Sequence, residues 1–281
     1  MSISIGIVAG EASGDALGAG MMAALRAHHP DCTFTGIGGS QMLEQGLNSL
    51  VPMDRLAVNG FVDPMKRLPE LIGILRLLTR TFAEQPPQVF VGVDFNVFNL
   101  LLERWLKRRH IPTVHYVSPS VYAWRRGRVK RISRCADMLL TLYPFEPDFY
   151  RAVPIEAVFV GHPLADEIGP NDGGEEATRG ARENLGVNPE ARCIALLPGS
   201  RMSEVRLLAD AFLGAAAVIA RELPGSVFVV PCLRPDIAKW VDASLSRYPG
   251  LNVVTYAGDA RLALTACEGA LVKSGTGTLE A

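Results

Sequence analysis

The sequence has 281 residues, of which 48% are hydrophobic and 20% charged, and its formal net charge is −1. This is the composition of a globular protein with room for two α/β domains, and it lacks the basic excess of most nucleic-acid-binding domains. No run of 18 apolar residues occurs and the N-terminus lacks a basic segment, so we expect neither a transmembrane helix nor a signal peptide.

The cysteines are scattered through the chain and form no CxxC pair. No histidine stands near them at the spacing of metal ligands. We therefore expect reduced core residues in a cytosolic protein, rather than a zinc site or a disulfide framework. The five cysteines are Cys32, Cys135, Cys193, Cys232 and Cys267.

The first half of the chain alternates short apolar runs with segments of helical periodicity. Continuous apolar strands separated by helices are typical of a parallel sheet covered on both faces. The predicted strands are ISIGIVAG (3–10), CTFTGIGG (32–39), QVFVGVDF (88–95), PTVHYVS (112–118), DMLLTLYPF (137–145) and AVFVGH (157–162).

The polar, glycine-rich segment 169–180 predicts a domain boundary, with an N-terminal domain over 1–170 and a C-terminal domain over 171–281. We expect an α/β fold of two Rossmann-like parallel-sheet domains facing a cleft. Because such a half commonly has about five or six strands, we expect the second domain to be incomplete and the chain truncated. Its predicted strands are RCIALLP (192–198), SVFVVP (226–231), LNVVTY (251–256) and GALVKS (269–274).

GEASGD (10–15) lies where the first strand passes into the first helix. Its glycines allow a tight turn, and Ser13 or Asp15 is expected to cap the helix. The motif is not GxGxxG, and Glu11 would repel a pyrophosphate. Two interpretations stay open, a simple turn and a contact with a small molecule or sugar.

Asp94 closes a predicted strand at its carboxyl end. A carboxylate there can serve as a general base if it reaches a substrate hydroxyl in a partly dry site. It can equally cap the helix that begins near Asn96.

Two further segments each fit more than one role. HYVSPSVYAWRRGRVKRISR (115–134) is basic and contains a Ser-Pro-Ser turn, which suits a small polar site, an anionic lipid surface, nucleic acid or a solvated helix. The segment 56–82 is apolar and fits either ordinary core or a lip that receives acyl chains or touches a bilayer.

LLPGSRMSEV (196–205) predicts a phosphate site, because the entry of a helix offers free backbone N–H groups and Arg201 adds a charge. Ser200 or Ser203 is expected to cap that helix. KSGTGT (273–278) is a second such loop, and two anion loops at one sheet edge fit a nucleoside diphosphate. No Walker A motif occurs, which disfavours ATPase chemistry.

These motifs, together with PFEPDFY (144–150) and FVGHPLAD (159–166), resemble those of bacterial lipid-A-disaccharide synthases in order and spacing. The resemblance implies a GT-B glycosyltransferase of Gram-negative bacteria that works without metal or cofactor at the inner face of the cytoplasmic membrane. It would join UDP-2,3-diacylglucosamine to 2,3-diacylglucosamine 1-phosphate by inversion. The products would be a β-1,6-linked disaccharide 1-phosphate and UDP.

The resemblance also assigns residues. Asp94 and Arg201 match the essential acid and arginine of the family. The acceptor-side matches are Glu11, Ser13, Gly14, His115, Ser118, Ser120, Trp124 and Arg125. The donor-side matches are Ser200, Glu204, Ser274, Gly275, Thr276 and Glu280.

The chain departs from the family at Asn96 and Val97, which replace a proline and a second acid. The family is also longer and forms dimers, so a homodimer is expected of a full-length chain, on the surface of inner-membrane lipids and without nucleic acid. Two alternatives remain, a UDP-sugar 2-epimerase of the same fold and an inactive truncated paralogue that binds only UDP or lipid.

Overall fold

The computed structural model describes residues 3–56, 64–121, 126–275 and 277–281. They form two compact units, Met1–Pro163 and Leu164–Ala281. The division lies a few residues before the predicted boundary at 170. The short helix Leu164–Glu167 belongs to the second unit, to which Glu167 is tied by an ion pair of 3.1 Å with Arg261.

The first unit contains one seven-stranded parallel sheet in the order β3-β2-β1-β4-β5-β6-β7. Its strands are β1 (Ser4–Ala9), β2 (Thr33–Ile37), β3 (Leu47–Ser49), β4 (Val89–Val93), β5 (Thr113–Tyr116), β6 (Met138–Thr141) and β7 (Glu156–Phe159). Its α-helices are α1 (Ala12–His28), α2 (Ser40–Glu44), α3 (Pro64–Glu84), α4 (Asn96–Lys107) and α5 (Val129–Ile132). Short 3-10 helices cover Met53–Arg55, Arg126–Arg128 and Pro147–Tyr150.

Alternate residues of the strands fill two separate cores, one on each face of this sheet. On one face Ile5 and Ile7 pack with Met22 of α1. On the other, Val8 and Phe90 pack with α3 and α4. The apolar strands therefore form a sheet covered on both faces, as predicted.

The apolar segment 56–82 was predicted to be either ordinary core or an exposed lip, and helix α3 has both buried and exposed apolar residues. Ile74, Leu78 and Phe82 are buried in the core, whereas Leu68 and Ile72 are exposed. The residues 57–63 of that segment lie outside the described part of the chain. No helix among the described residues is long and apolar enough to cross a bilayer.

The second unit has a four-stranded parallel sheet in the order β10-β9-β8-β11. Its strands are β8 (Cys193–Leu197), β9 (Val227–Pro231), β10 (Val253–Tyr256) and β11 (Gly269–Val272). Its helices are α6 (Leu164–Glu167), α7 (Glu175–Leu185), α8 (Met202–Glu222), α9 (Pro235–Leu245), α10 (Ala260–Ala266) and α11 (Gly277–Glu280). The predicted α/β class with two Rossmann-like parallel sheets is confirmed.

Helix α7 begins inside the segment that was predicted to be an irregular boundary. It is anchored by Arg182, whose guanidinium donates to the Ala266 carbonyl at 2.9 Å and pairs with Glu268 at 2.6 Å. Tertiary bonds of a buried arginine leave no apolar periodicity in the sequence, which is why the helix was missed.

Candidate active site

Each sheet has one point at which the order of its strands reverses, between β1 and β4 in the first unit and between β8 and β11 in the second. In open α/β sheets, ligands bind beyond the carboxyl ends of the strands at such a point. The segments that follow these four strands are 10–15, Asp94, 198–201 and 273–275. The predicted site loops therefore occupy the ligand-binding position of their own sheets.

The chain turns sharply after β4 through two non-glycine residues in the left-handed region. The φ angle is 46° at Asp94 and 45° at Phe95. Buried Asn99 holds the turn, because its Nδ2 lies 3.1, 3.2 and 2.9 Å from the carbonyl oxygens of Val8, Val93 and Asp94. Such conformations persist only where the surrounding structure enforces them.

The half-buried carboxylate of Asp94 accepts a hydrogen bond of 2.9 Å from Nδ2 of Asn96. Helix α4 begins at Asn96, with Phe95 at its N-cap and no side-chain cap. The alternative prediction that Asp94 simply caps this helix is therefore wrong. Its carboxylate is oriented by a neighbouring amide instead.

The ring of His115 lies in the core behind Asp94. Its Nδ1 is 2.6 Å from Oε1 of Glu103, and its Nε2 is 3.1 Å from Oδ1 of Asn96. Burial raises the pKa of Glu103, and the neighbouring His115 ring opposes that shift only in part. Sequence reasoning missed Glu103, although an acid on the apolar face of an amphipathic helix was a usable signal.

The GEASGD loop is organised differently from its prediction. Helix α1 has Glu11 as its N-cap and no side-chain cap, so neither Ser13 nor Asp15 caps it. Instead, the buried carboxylate of Asp15 accepts bonds from the backbone N–H groups of Gly39, Gln41 and Met42 at 2.7 to 3.1 Å. A short acid binds three N–H groups of another loop because it is buried where those groups would otherwise be unpaired.

The same loop borders the turn at Asp94 and a cavity of about 600 Å³. A Cβ atom at Gly10 would lie 2.5 Å from the ring of Phe95, and buried Gly14 packs against β4. Ser13 is exposed. The lining of the cavity includes Ala12, Asp15, Gly39, Ser49 and Met53.

The two serines of the Ser-Pro-Ser turn differ in burial. Ser118 is buried, and its Oγ shares a hydrogen bond of 2.9 Å with the hydroxyl of Tyr150, whose pKa burial raises to about 12. Ser120 is exposed. Trp124 and Arg125 lie outside the described residues. In the described part of the turn, Ser118 is thus engaged in the core and Ser120 is accessible.

In the second unit, the chain leaves β8 through Gly199, at a φ of 135°, and enters the long helix α8. Arg201 is the N-cap of that helix, so the predicted caps Ser200 and Ser203 are wrong. The carboxylate of Glu204 accepts a bond of 3.4 Å from the backbone N–H of Arg201. Ser200 and Arg201 are exposed at this positive helix end.

A cavity of about 170 Å³ joins this turn to the loop after β11. Ser200, Glu204, Gly275 and Glu280 line it, as the donor-side assignment predicts for a shared site. Burial, followed by the charge of Asp259, raises the pKa of Glu280. Of the other two assigned residues, Ser274 is exposed outside the lining and Thr276 lies outside the described residues.

Lys273 is a further cavity residue that the assignment omitted. Its Nζ lies 2.9 Å from Oε1 of Glu204. Partial burial of Glu204 acts to raise its pKa. The hydrogen bonds from Lys273 and from the backbone of Arg201, together with the positive charges of these two residues, outweigh burial and lower the pKa of Glu204. The sequence did contain a signal for Lys273, because a cation directly before the predicted anion loop SGTGT (274–278) is placed to help bind a phosphate.

Several solved structures have a similar fold. A UDP-N-acetylglucosamine 2-epimerase from Rickettsia bellii matches all of this chain and 76% of its own, with a TM-score of 0.65 and 14% identity. MurG from Acinetobacter baumannii matches 99% and 74%, with a TM-score of 0.57 and 12% identity. At such identities the likeness shows the fold alone, two Rossmann-like sheets of the GT-B kind.

Sequence relatives are much closer. The family model described as lipid-A-disaccharide synthetase matches residues 5–281. A lipid-A-disaccharide synthase from Saccharophagus degradans is 49% identical over 279 residues, which are 99% of this chain and 71% of that protein. Another from Methylobacillus flagellatus is 43% identical over 280 residues, 99% and 73%. This chain therefore belongs to the lipid-A-disaccharide synthase family and is a glycosyltransferase of lipid A biosynthesis.

Proposed function

We propose that this protein transfers the sugar of UDP-2,3-diacylglucosamine to the 6-hydroxyl of 2,3-diacylglucosamine 1-phosphate, with inversion and without metal. Family membership supports the reaction class. The observation that carries the proposal is the chemistry of the two strand-order reversals. One presents a carboxylate, Asp94, and the other a helix entry with Arg201 and Lys273.

In this proposal Asp94 is the general base. Its carboxylate takes the proton of the acceptor 6-hydroxyl as that oxygen forms a bond to C1 of the donor sugar. The bond from C1 to the phosphate oxygen breaks in the same step, and its electron pair leaves with UDP. A single displacement of this kind inverts the configuration at C1, so a donor whose sugar is α-linked to UDP gives the β-linkage.

Charge on the departing UDP is stabilised by groups of the second unit. The helix α8 presents its N-terminus, and Arg201 at its N-cap supplies a delocalised cation. Preorganised donors of this kind typically contribute about 3–4 kcal/mol each to the transition state. Charge on the phosphate is thus met by protein groups, which is why we propose a reaction without metal.

Two substitutions test these roles. We expect Asp94→Asn and Arg201→Ala each to lower turnover of the two lipid substrates at least about 100-fold, measured as release of UDP and formation of the disaccharide. Asp148→Asn and Arg221→Ala are the matched controls, because both residues are exposed. Near-normal turnover in Asp94→Asn or Arg201→Ala would remove the role of that residue.

We further propose that the first unit binds a lipid surface through α3. Leu68 and Ile72, four residues apart on one face of this helix, expose apolar side chains, and an exposed apolar helix face suits the boundary of a bilayer. The association would be peripheral, at the inner membrane. Co-sedimentation with anionic vesicles should fall for Leu68→Ser with Ile72→Ser and stay unchanged for Leu43→Ser; equal binding of all three proteins would contradict it.

Family resemblance also supports a homodimer. Light scattering of the purified protein would give twice the chain mass if it forms. A monomer mass across the accessible concentration range would reject it for this chain.

One observation favours a second candidate, a protein that binds UDP or lipid without transfer. Val97 stands where the family has an acid, and its side chain is 71% exposed on the first turn of α4. UDP binding by calorimetry without any product would support this function. If Val97→Asp then gained turnover, the absence of transfer in the unmodified protein would be attributed to Val97.

The 2-epimerase alternative has its own test. The protein is incubated with UDP-N-acetylglucosamine alone, and formation of the 2-epimer is measured.

A further inference from the structure

Four polar side chains form a chain of hydrogen bonds from the interior of the first unit to its candidate base. Glu103 contacts His115 at 2.6 Å, His115 contacts Asn96 at 3.1 Å, and Asn96 contacts Asp94 at 2.9 Å. The side chains of Glu103 and His115 are 0% exposed. Only the last two members are half-buried.

The direction of each bond follows from what each group can donate. The amide of Asn96 donates through Nδ2 to the carboxylate of Asp94, so its Oδ1 faces the ring of His115. Nε2 of His115 must then carry a hydrogen. The other ring nitrogen, Nδ1, shares one further proton with Oε1 of Glu103.

Glu103 and His115 together therefore hold two protons and have no net charge. Burial favours this state, because an isolated carboxylate in an apolar interior is far more costly than a neutral acid. Within the described structure, Oε2 of Glu103 has no hydrogen-bond partner. A neutral acid leaves that oxygen as a carbonyl, which is a smaller penalty than an unpaired charged oxygen.

The sheet makes a space for this contact. A Cβ atom at Gly92 of β4 would lie 2.1 Å from Oε1 of Glu103 and 2.9 Å from Cβ of Asn99. Any other residue at this position would displace the acid from His115. The close approach of Gly92 is thus a second feature that places Glu103 against the ring.

We propose that Glu103 is a positioning residue, which acts through His115 and Asn96 to fix the carboxylate of Asp94 for catalysis. Glu103 selects the tautomer of His115, the tautomer selects the orientation of the Asn96 amide, and the amide holds one carboxylate oxygen. The inference rests on the proposed role of Asp94 as the base. In this chain Asn96, which replaces the proline of the family, is the link between the buried pair and the acid.

The proposal predicts different results for two substitutions at one position. Glu103→Gln keeps a donor to Nδ1 and should retain kcat within about threefold. Glu103→Met has a similar size but no donor, and should lower kcat about 10- to 100-fold with KM little changed, as expected when a reacting group is misplaced. Equal kcat values in the two variants would overturn the proposal.

A double-mutant cycle separates positioning from a general loss of structure. Asn96→Ala should lower kcat, and adding Glu103→Met to it should lower kcat no further, because the link is already broken. Asn96 is half-buried at the start of a helix, so its removal should leave the fold intact. Independent, multiplicative effects of the two substitutions would mean that Glu103 does not act through Asn96.

A spectroscopic measurement tests the chain of bonds apart from the reaction. Nitrogen-15 NMR of His115 should show a hydrogen on Nε2 in the unmodified protein and in Glu103→Gln, and a changed ring signal in Glu103→Met. A hydrogen absent from Nε2 in the unmodified protein would refute the network. If the NMR result holds while Asp94→Asn remains active, the proposed function fails and the network stands.

Discussion

The turn after β4 and the turn after β8 each stand beside the strand-order reversal of their own sheet, but they are built by opposite means. The first has two left-handed non-glycine residues, Asp94 and Phe95, and is held by buried side chains. The second turns at Gly199 and ends at an exposed helix entry. A single carboxylate needs a fixed orientation, whereas a diphosphate can be bound by backbone N–H groups, which every residue except proline carries.

The substitution with the largest expected effect on stability tests whether the turn after β4 depends on buried Asn99. Asn99→Ala removes the donor to three carbonyl groups around the strained turn, and we expect the free energy of unfolding to fall by about 3–5 kcal/mol. Urea denaturation measures it. Asn48→Ala, at an exposed position of β3, is the control and should change stability by less than about 0.5 kcal/mol. A similar small loss in both variants would show that the turn needs no buried anchor.

Gly199→Ala should give the next largest effect. The φ of 135° is unfavourable for a residue with a Cβ, and that atom would lie 2.5 Å from Oε2 of Glu204. We expect a loss of about 1–3 kcal/mol in stability together with weaker binding of UDP. Gly180→Ala, in a helix with open space around the new atom, should instead gain up to about 1 kcal/mol. Unchanged UDP affinity in Gly199→Ala would show that the turn at Gly199 does not take part in binding UDP.

The smallest effect is the ion pair between Glu204 and Lys273, which is partly exposed. Glu204→Gln should lower stability by about 1 kcal/mol at pH 7. Because the folded state lowers the pKa of Glu204 below 4.5, this contribution is present above that pH and is lost as the pH falls through the folded pKa. Unfolding at pH 7 and pH 3 should show the difference shrink, whereas exposed Glu183→Gln should show none; a constant difference would contradict it.

Ten of the eleven strands in the described residues were predicted, because parallel strands buried on both faces must be apolar. The three-residue edge strand β3 was missed, because Leu47–Ser49 is too short and too polar to give an apolar run. The sequence also placed Asp94 and Ser200 in the segments that directly follow strands, since the position of such segments follows from the strand pattern. The helix caps were predicted wrongly at Ser13 and Ser200. A cap depends on the local path of the backbone, and several nearby residues are chemically able to serve.

Glu103 and Lys273 were missed for a different reason. Their roles depend on partners that are distant in sequence, His115 for the first and Glu204 for the second. Spacing along one element reveals its face but not which side chain of another element meets it. The carboxylate of Asp15 illustrates the same limit, because it binds a loop more than twenty residues away.

The strand order of the second sheet has a consequence for synthesis on the ribosome. β8 lies between β9 and β11, yet β11 is made after every other strand of that sheet. At about 5–20 residues per second, one edge of β8 stays unpaired for several seconds while the chain up to Gly269 emerges. An apolar strand with an open edge is a template for aggregation. Loss of chaperones should therefore favour aggregation of the growing chain during the interval between the synthesis of β8 and that of β11.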